Sequence, residues 1–193
     1  MRKLVIDKGA VKHNLSVIKD RAAGAAIYGV LTGDGGGAGI VPLAQLLRAE
    51  GIGRFAVSEV KEAESLRQAG FVDEEILMLR STTDREELER LVDLNVVCTI
   101  SSVDTGMALN ALAENRSTVV DAHIQVDTGM GFGGFLVSEP EKILLAYRSL
   151  PNVALSGIYT QLHAAKLKDA EAAHQLEQFS KVLDIVVQVG RTG

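Results

Sequence analysis

Residues 28–39 of the chain read YGVLTGDGGGAG, and six of these twelve residues are glycine. The glycines follow the apolar run AAIYGVL at 25–31, which is typical of a buried β-strand. Glycine adopts φ > 0 at no steric cost and allows a ligand to approach the backbone closely. The stretch therefore predicts a tight turn at the end of a strand, in a position that suits a ligand site.

The pattern that begins at this strand repeats along the rest of the chain. Short apolar or β-branched runs alternate with longer segments of helical periodicity, which is the signature of a parallel sheet covered by helices. The class is α/β, and either an open doubly wound sheet or a (β/α)₈ barrel would satisfy the pattern. A barrel typically has about 250 residues and eight βα units, whereas this chain of 193 residues offers six. The strands are predicted at 25–31, 54–58, 75–79, 96–100, 118–126 and 153–160, and the helices at 41–51, 59–70, 83–94, 102–115, 138–150 and 169–189.

Composition and charge exclude several classes of function. A net charge of −5 and a pI near 5.4 leave no basic footprint for DNA or RNA. No run approaches the roughly 18 apolar residues of a membrane span, and the N-terminus lacks the apolar core of a signal peptide, so a cytoplasmic location is expected. Cys98 is the single cysteine and lies in the apolar run VVCTI, which predicts a buried, inert thiol.

Three loops that follow predicted strands have unusual compositions, at 31–39, 127–135 and 160–169. Ligands of parallel α/β folds bind at the carboxyl ends of the strands, so these loops predict a ligand site. His163 is the only histidine at the edge of such a site, and no pair of histidines has metal-ligand spacing, so no metal is expected. The spacing of the first loop resembles a dinucleotide fingerprint only weakly, because its third position is Ala38. A P-loop is excluded, since no Lys-Ser or Lys-Thr pair follows the glycines.

The order of the motifs resembles the N-terminal pyridoxal-phosphate (PLP) barrel of the alanine racemases, from about Leu4 to the C-terminus. The motifs are YGVLTGDGGGAG, RFAVSEVKEAESLRQAG, EILMLRSTTDREELERLVDLNV, HIQVDTGMGFGGF and LSGIYTQLH. The resemblance implies a TIM-type (β/α) barrel, incomplete at about six βα units, as a single domain over 1–193. It also implies a PLP-dependent amino-acid racemase, an isomerase that acts on a small amino acid and assembles as a homo-oligomer.

At the positions that match the family's site residues, this chain carries mostly different residue types. The family's Schiff-base lysine and phosphate-contacting tyrosine correspond to Thr32 and Gly36, and its second-loop lysine and arginine correspond to Gln125 and Phe132. The histidine near the pyridine ring corresponds to Gln161, with His163 as a candidate substitute. A hydroxyl cannot form an imine, so covalent attachment of PLP at residue 32 is excluded. The family's last two strands and its C-terminal domain have no counterpart in the sequence.

The sequence therefore predicts a domain of the alanine racemase type that lacks racemase activity as it stands, either a pseudoenzyme or a truncated variant. Two alternatives use the same scaffold. One is a non-enzymatic binding or self-association module, because absent strands would leave unpaired sheet edges. The other is noncovalent binding of PLP or phosphate at 33–39 or 129–134, because backbone amides of glycine loops can hold an anion.

Overall fold

A computed structural model of the protein describes residues 4–163 and 170–190. Seven strands and eight helical segments follow one another in this part of the chain. The strands are β1 Tyr28–Val30, β2 Arg54–Val57, β3 Glu75–Met78, β4 Cys98–Ile100, β5 Val120–Asp127, β6 Phe135–Leu136 and β7 Val153–Thr160. The helical segments are α1 Lys8–Ala22, α2 Thr32–Gly36, α3 Ile40–Ala49, α4 Val60–Gln68, α5 Arg85–Asp93, α6 Val103–Asn115, α7 Pro140–Ser149 and α8 Ala170–Gly190.

These residues fall into two compact units, unit 1 within 1–80 and 90–97 and unit 2 within 81–89 and 98–193. Unit 1 contains a parallel sheet in the order β1-β2-β3. Its core includes Phe55 and Phe71, both fully buried, whose rings meet edge to face with centroids 5.5 Å apart. An aromatic pair of this geometry adds about 0.5–1.5 kcal/mol to the free energy gained from burial alone. Burial explains the apolar runs of β2 and β3, since every residue of these two strands after the first is buried, whereas Val30 at the end of β1 is exposed.

The glycine-rich stretch that opens the sequence forms α2, a single turn of left-handed helix. Residues 33–37 all have positive φ, and Asp34 is the only one of the five that is not glycine. The turn is closed by hydrogen bonds from the Gly35 amide to the Leu31 carbonyl (2.8 Å) and from the Gly37 amide to the Gly33 carbonyl (3.0 Å). A left-handed helix costs about 1–2 kcal/mol for each residue that has a Cβ, so it is accessible to this stretch because of its glycines.

Unit 2 contains a parallel sheet in which β5 pairs with β4, β6 and β7. Its core is formed by fully buried aliphatic side chains that include Ile100, Ile124 and Ile143. A bulge interrupts the pairing of β5 with β7, so that His123 lies opposite Gly157. A Cβ at Gly157 would come within 2.6 Å of the His123 ring, so this glycine is required by close packing.

The six predicted strands are present, at bounds within three residues of the predicted ones, and Asp84 caps its helix through the amide of Glu87 (2.9 Å). Two predictions need correction. The strand β6 was not predicted, because its two residues are too short a run to show a period. The tetrapeptide Asp-Thr-Gly-Met at 104–107 falls where a helix is predicted to begin, which favours Asp104 or Thr105 as the cap. The structure instead has Ser102 as the cap of α6, where its hydroxyl accepts from the Thr105 amide at 3.2 Å.

Candidate functional site

Thr32 in unit 1 lies where the family resemblance places a lysine, directly after β1. The preceding residue, Leu31, is fully buried, and its amide donates to the Ala56 carbonyl of the neighbouring strand (2.8 Å). Thr32 itself is half-buried. At Gly36, where a tyrosine was expected, a Cβ would meet no atom within 4 Å. The structure therefore keeps the loop in place and leaves open space at Gly36.

A carboxylate from α4 holds this loop to the loop that follows β2. Glu62 accepts hydrogen bonds from the amides of Ser58 (2.9 Å), Glu59 (3.1 Å) and Asp34 (3.1 Å). The contact with the Glu59 amide belongs to a capping box at the start of α4, and the contact with the Asp34 amide reaches across to the left-handed turn. Glu62 was not predicted as a site residue, because Glu59, three positions earlier, is not one of the usual first residues of a capping box. Glu62 therefore supplies an internal anion to the amide of Asp34.

Asp34 connects the same turn to the next helix. Its Oδ1 accepts from the amide of Ile40 at the start of α3, at 2.8 Å. An aspartate tolerates the left-handed region better than most residues and can bond a nearby backbone amide from there. Conformation and hydrogen bonding thus both favour aspartate within this run of glycines.

In unit 2, the glycine-rich loop after β5 is folded around Asp127. The carboxylate of Asp127 accepts from the amides of Gly129 (2.9 Å) and Gly131 (3.1 Å). Phe132, which occupies the position of the family arginine, follows this turn and is 67% exposed. Gly134 then approaches β5 so closely that a Cβ would lie 2.8 Å from the Asp127 amide nitrogen. The loop is therefore shaped by its own chain, and an exposed apolar ring stands where a cation was expected.

A group of polar side chains lies along β4, β5 and β7 of unit 2. Gln125 is 7% exposed and pairs in register with Tyr159. The hydroxyls of Tyr159 and Thr99 are 3.0 Å apart, and Thr99 pairs in register with His123. Burial raises the pKa of Tyr159, and the hydrogen bond with Thr99 opposes this shift. Tyr159 is therefore a neutral hydroxyl at physiological pH and carries no charge for an anionic ligand.

The loop after β7 carries Gln161 and His163, and both are exposed. Thr160, the last residue of β7, lies 2.8 Å from the hydroxyl of Thr128 (Oγ1 to Oγ1). The remainder of this predicted loop, with Lys166 and Lys168, lies outside the described residues. The structure thus brings the ends of β5 and β7 together and places Gln161 and His163 beside them.

A cavity of about 730 Å³ lies in unit 2 between the loop after β5 and α8. Thr128 and Gly131 line one side, and His174 and Lys181 line the other. The ammonium of Lys181 is 2.9 Å from the carboxylate of Glu177, in an exposed ion pair. Cys98 is not available as a nucleophile, because burial raises the pKa of its thiol to about 12. The described part of unit 2 thus has one lysine beside the loop after β5, and that lysine is already paired.

Comparison with known proteins identifies the family. The model of the alanine racemase N-terminal domain matches residues 6–192. The chain belongs to the alanine racemase family. It is 34% identical over 174 residues to the alanine racemase of Carboxydothermus hydrogenoformans, covering 90% of this chain and 46% of that protein. It is also 34% identical over 189 residues to the alanine racemase of Desulfovibrio desulfuricans, covering 97% of this chain and 50% of that protein.

Solved alanine racemase structures share the fold. The alanine racemase of Clostridium difficile 630 in complex with cycloserine superimposes with a TM-score of 0.84 at 26% identity, over 92% of this chain and 49% of that chain. The alanine racemase of Corynebacterium glutamicum gives a TM-score of 0.80 at 25% identity, over 96% of this chain and 51% of that chain. The predicted fold class is thereby confirmed as that of the alanine racemase N-terminal domain, and the family implies a TIM-type barrel. The chain spans about half the length of the curated relatives it matches.

The alanine racemase family depends on PLP, and the described residues do not fit covalent attachment of that cofactor at the end of β1. The segment after β1 contains no amine, since it runs Leu31, Thr32 and then glycine-rich sequence. Four other positions matched cofactor or substrate contacts of the family, and none of them carries a positive charge: Gly36, Gln125, Phe132 and Gln161. PLP bears a phosphate, and an amino-acid substrate bears a carboxylate, so these positions lack the cations that such anions favour.

None of the helices in the described ranges is both long enough and apolar enough to cross a membrane.

Proposed function

We propose that this chain is a non-racemising domain of the alanine racemase family, which keeps the loop scaffold of the cofactor site without forming the covalent link to PLP. The observation that carries the proposal is Thr32 at the end of β1, held on a well-formed left-handed turn. Racemisation requires an electron sink, an acid or base on each face of the α-carbon and an anchored carboxylate. The contacts of Glu62 and Asp127 support retention of the scaffold, whereas Thr32, Gln125 and Phe132 supply none of those chemical groups.

The proposal is tested by mixing the protein with PLP, reducing with borohydride and mapping modified lysines by mass spectrometry. We expect no lysine to be modified in the folded chain beyond the level that the same lysine reaches in the urea-unfolded chain. Stoichiometric modification of a single lysine in the folded chain would overturn the proposal. A new attachment site of this kind would be expected at Lys181 beside the cavity in unit 2, or at Lys166 or Lys168 in the sequence that follows β7.

Noncovalent phosphate binding to the glycine loops is less well supported by the contacts. The amide of Asp34 already donates to Glu62, and the amides of Gly129 and Gly131 already donate to Asp127. A phosphate would have to displace these carboxylates or accept their repulsion at close range. The same loops that suggested an anion site from sequence thus hold anions of their own chain.

Self-association is a second candidate function, favoured by β7, which has a neighbouring strand on one side only within residues 4–163 and 170–190. This strand has eight residues and pairs only with β5 among the strands of the described chain. Most of its side chains are half-buried, including Leu155 and Ile158, whereas β4 is buried throughout. An unpaired edge of this length is a template for pairing with another chain.

If β7 pairs between copies of this chain, light scattering will show a molecular mass that rises with protein concentration. The variant Ile158→Lys is expected to abolish this rise, because it places a charge on the pairing strand. A constant monomer mass for the parent chain would refute this candidate.

A further inference from the structure

Gln175 on α8 is the most deeply buried polar side chain of unit 2, with an exposed fraction of 0%. Its neighbours His174 and Leu176 are both exposed, so α8 turns this one amide into the protein. Burying an amide without hydrogen bonds costs roughly 1–3 kcal/mol in proteins, and such groups are therefore nearly always bonded. The burial of Gln175 calls for partners of matching chemistry, and the loops after β5 and β7 provide them.

The contacts of Gln175 determine the orientation of its amide. The Oε1 atom accepts from the backbone amide of His163 at 2.8 Å, and Nε2 donates to the backbone carbonyl of Gln161 at 3.2 Å. A backbone amide can only donate and a backbone carbonyl can only accept, so exchanging the oxygen and nitrogen would oppose like groups at both contacts. The loop after β7 thus requires one acceptor and one donor on the same side chain.

The second proton of Nε2 extends the contact to the loop after β5. It donates to the hydroxyl of Thr128 at 3.2 Å, and that hydroxyl lies 2.8 Å from the hydroxyl of Thr160. With Thr128 accepting from Gln175, its own proton is free to be donated to Thr160. One side chain of α8 therefore connects the ends of two strands by a chain of hydrogen bonds, which polarise one another in a low dielectric.

We infer that Gln175 is a positioning residue that holds the loop after β7, with Gln161 and His163, against the loop after β5. The inference goes beyond the proposed function, because it concerns how the site is held together whether or not PLP binds. Any ligand that contacts Gln161 or His163 would depend on Gln175 without touching it. The role needs an amide in particular, since no other side chain of this size offers both an acceptor and two protons in one plane.

The test is the variant Gln175→Glu, followed by urea unfolding at pH 5 and pH 8. An ionised carboxylate at this position accepts from His163 but opposes the Gln161 carbonyl, whereas a protonated carboxyl restores that donor. Burial therefore raises the folded-state pKa of the new carboxyl above its unfolded value of about 4.3. The unfolded state releases the proton first, so the variant loses stability as the pH rises. We expect the unfolding equilibrium constant to exceed that of the parent by about tenfold or more at pH 8 and by clearly less at pH 5.

The titratable groups around this position are Asp127 in the loop after β5, His163 in the loop after β7, and Glu171 and His174 on α8 itself. They are present in the parent and in the matched control Gln178→Glu, which places a carboxylate one turn further along α8 at a half-exposed position. The pH dependence of the unfolding free energy of the parent and of Gln178→Glu is subtracted from that of Gln175→Glu. This removes the contribution of the surrounding titratable groups. The inference is overturned if Gln175→Glu and Gln178→Glu show the same change between pH 5 and pH 8.

A second measurement decides the matter if Gln175→Glu does not fold at either pH. Hydrogen exchange of Gln175→Ala, read by mass spectrometry, is expected to increase in peptides that cover 127–131 and 160–163 and to stay unchanged at β3, Glu75–Met78. Faster exchange spread over the whole chain would show that Gln175 only contributes to global stability, and unchanged exchange in both loops would show that it holds neither. Either result would contradict the inference.

Discussion

The variant Thr32→Lys is expected to gain a single borohydride-stable PLP adduct at residue 32, where the parent chain gains none. The new amine would project from the second residue after β1, at a half-buried position that begins the glycine-rich turn. We expect racemisation of alanine to remain at background, because the groups at Gln125, Phe132 and Gln161 are still substituted. Each missing general acid or base typically costs 10²–10⁴-fold in rate, so one restored lysine cannot recover the reaction.

The matched control for this variant is Thr118→Lys. Thr118 is half-buried, as Thr32 is, but it precedes β5. It therefore lies at the opposite end of this strand from the glycine-rich loop that follows β5. Adduct formation at residue 118 equal to that at residue 32 would mean that the loop after β1 offers no special environment. Racemase activity in Thr32→Lys above that of Thr118→Lys would show that the remaining groups suffice for catalysis, and would contradict the proposed function.

The variant Arg67→Ala is expected to lose about 3 kcal/mol or more of the free energy of unfolding. The Arg67 guanidinium donates to four backbone carbonyls, and each contact is between 2.6 and 2.8 Å: Phe71, Glu74, Leu94 and Asn95. Hydrogen bonds that involve a charged group contribute about 1.5–3 kcal/mol each, and removal of the donor leaves partly buried carbonyls unpaired. Burial lowers the pKa of Arg67, but the guanidinium of an arginine stays charged in proteins.

Urea unfolding of three variants tests this prediction. Arg67→Lys is expected to recover only a minor part of the loss, because an ammonium cannot reach four carbonyls in one plane as a guanidinium does. Arg85→Ala is the control, since Arg85 makes an exposed ion pair with Glu89 (2.8 Å), and exposed pairs of this kind contribute little to stability. Equal midpoints for Arg67→Ala and Arg85→Ala would show that the four carbonyls are satisfied without the guanidinium.

The features that could be predicted from sequence are those that depend on a few consecutive residues. The six longer strands could be recognised as apolar runs, and in β2, β3 and β4 nearly all residues are buried, as expected for a strand inside a parallel sheet. Proline favours the first position of a helix, where its missing amide costs nothing, and Pro140 is the first residue of α7. The burial of Cys98 was also confirmed, since its run of apolar neighbours belongs to β4.

Prediction of the site was less complete, and the reason is the distance along the chain between its parts. Positions such as Thr32 and Phe132 could be identified because they stand inside motifs that resemble the family. Gln175 could not, because nothing near it in sequence shows that α8 turns it toward residues 12 and 47 positions away. Arg67 could not be identified either, because two of its carbonyl partners, at Leu94 and Asn95, lie 27 and 28 positions away along the chain.

The sequence by itself determined the left-handed turn at 33–37, the order of strands and helices, and the family to which the chain belongs. These follow from local chemistry, since glycine alone removes the Cβ clash of positive φ and apolar runs of fixed period specify the elements. Only the tertiary structure decided which groups accept hydrogen bonds from the loop amides and which side chain holds the loops together. Glu62, Asp127 and Gln175 have those roles because folding brings their side chains to backbone groups whose hydrogen bonds must be satisfied, and that demand exists only once water has been excluded.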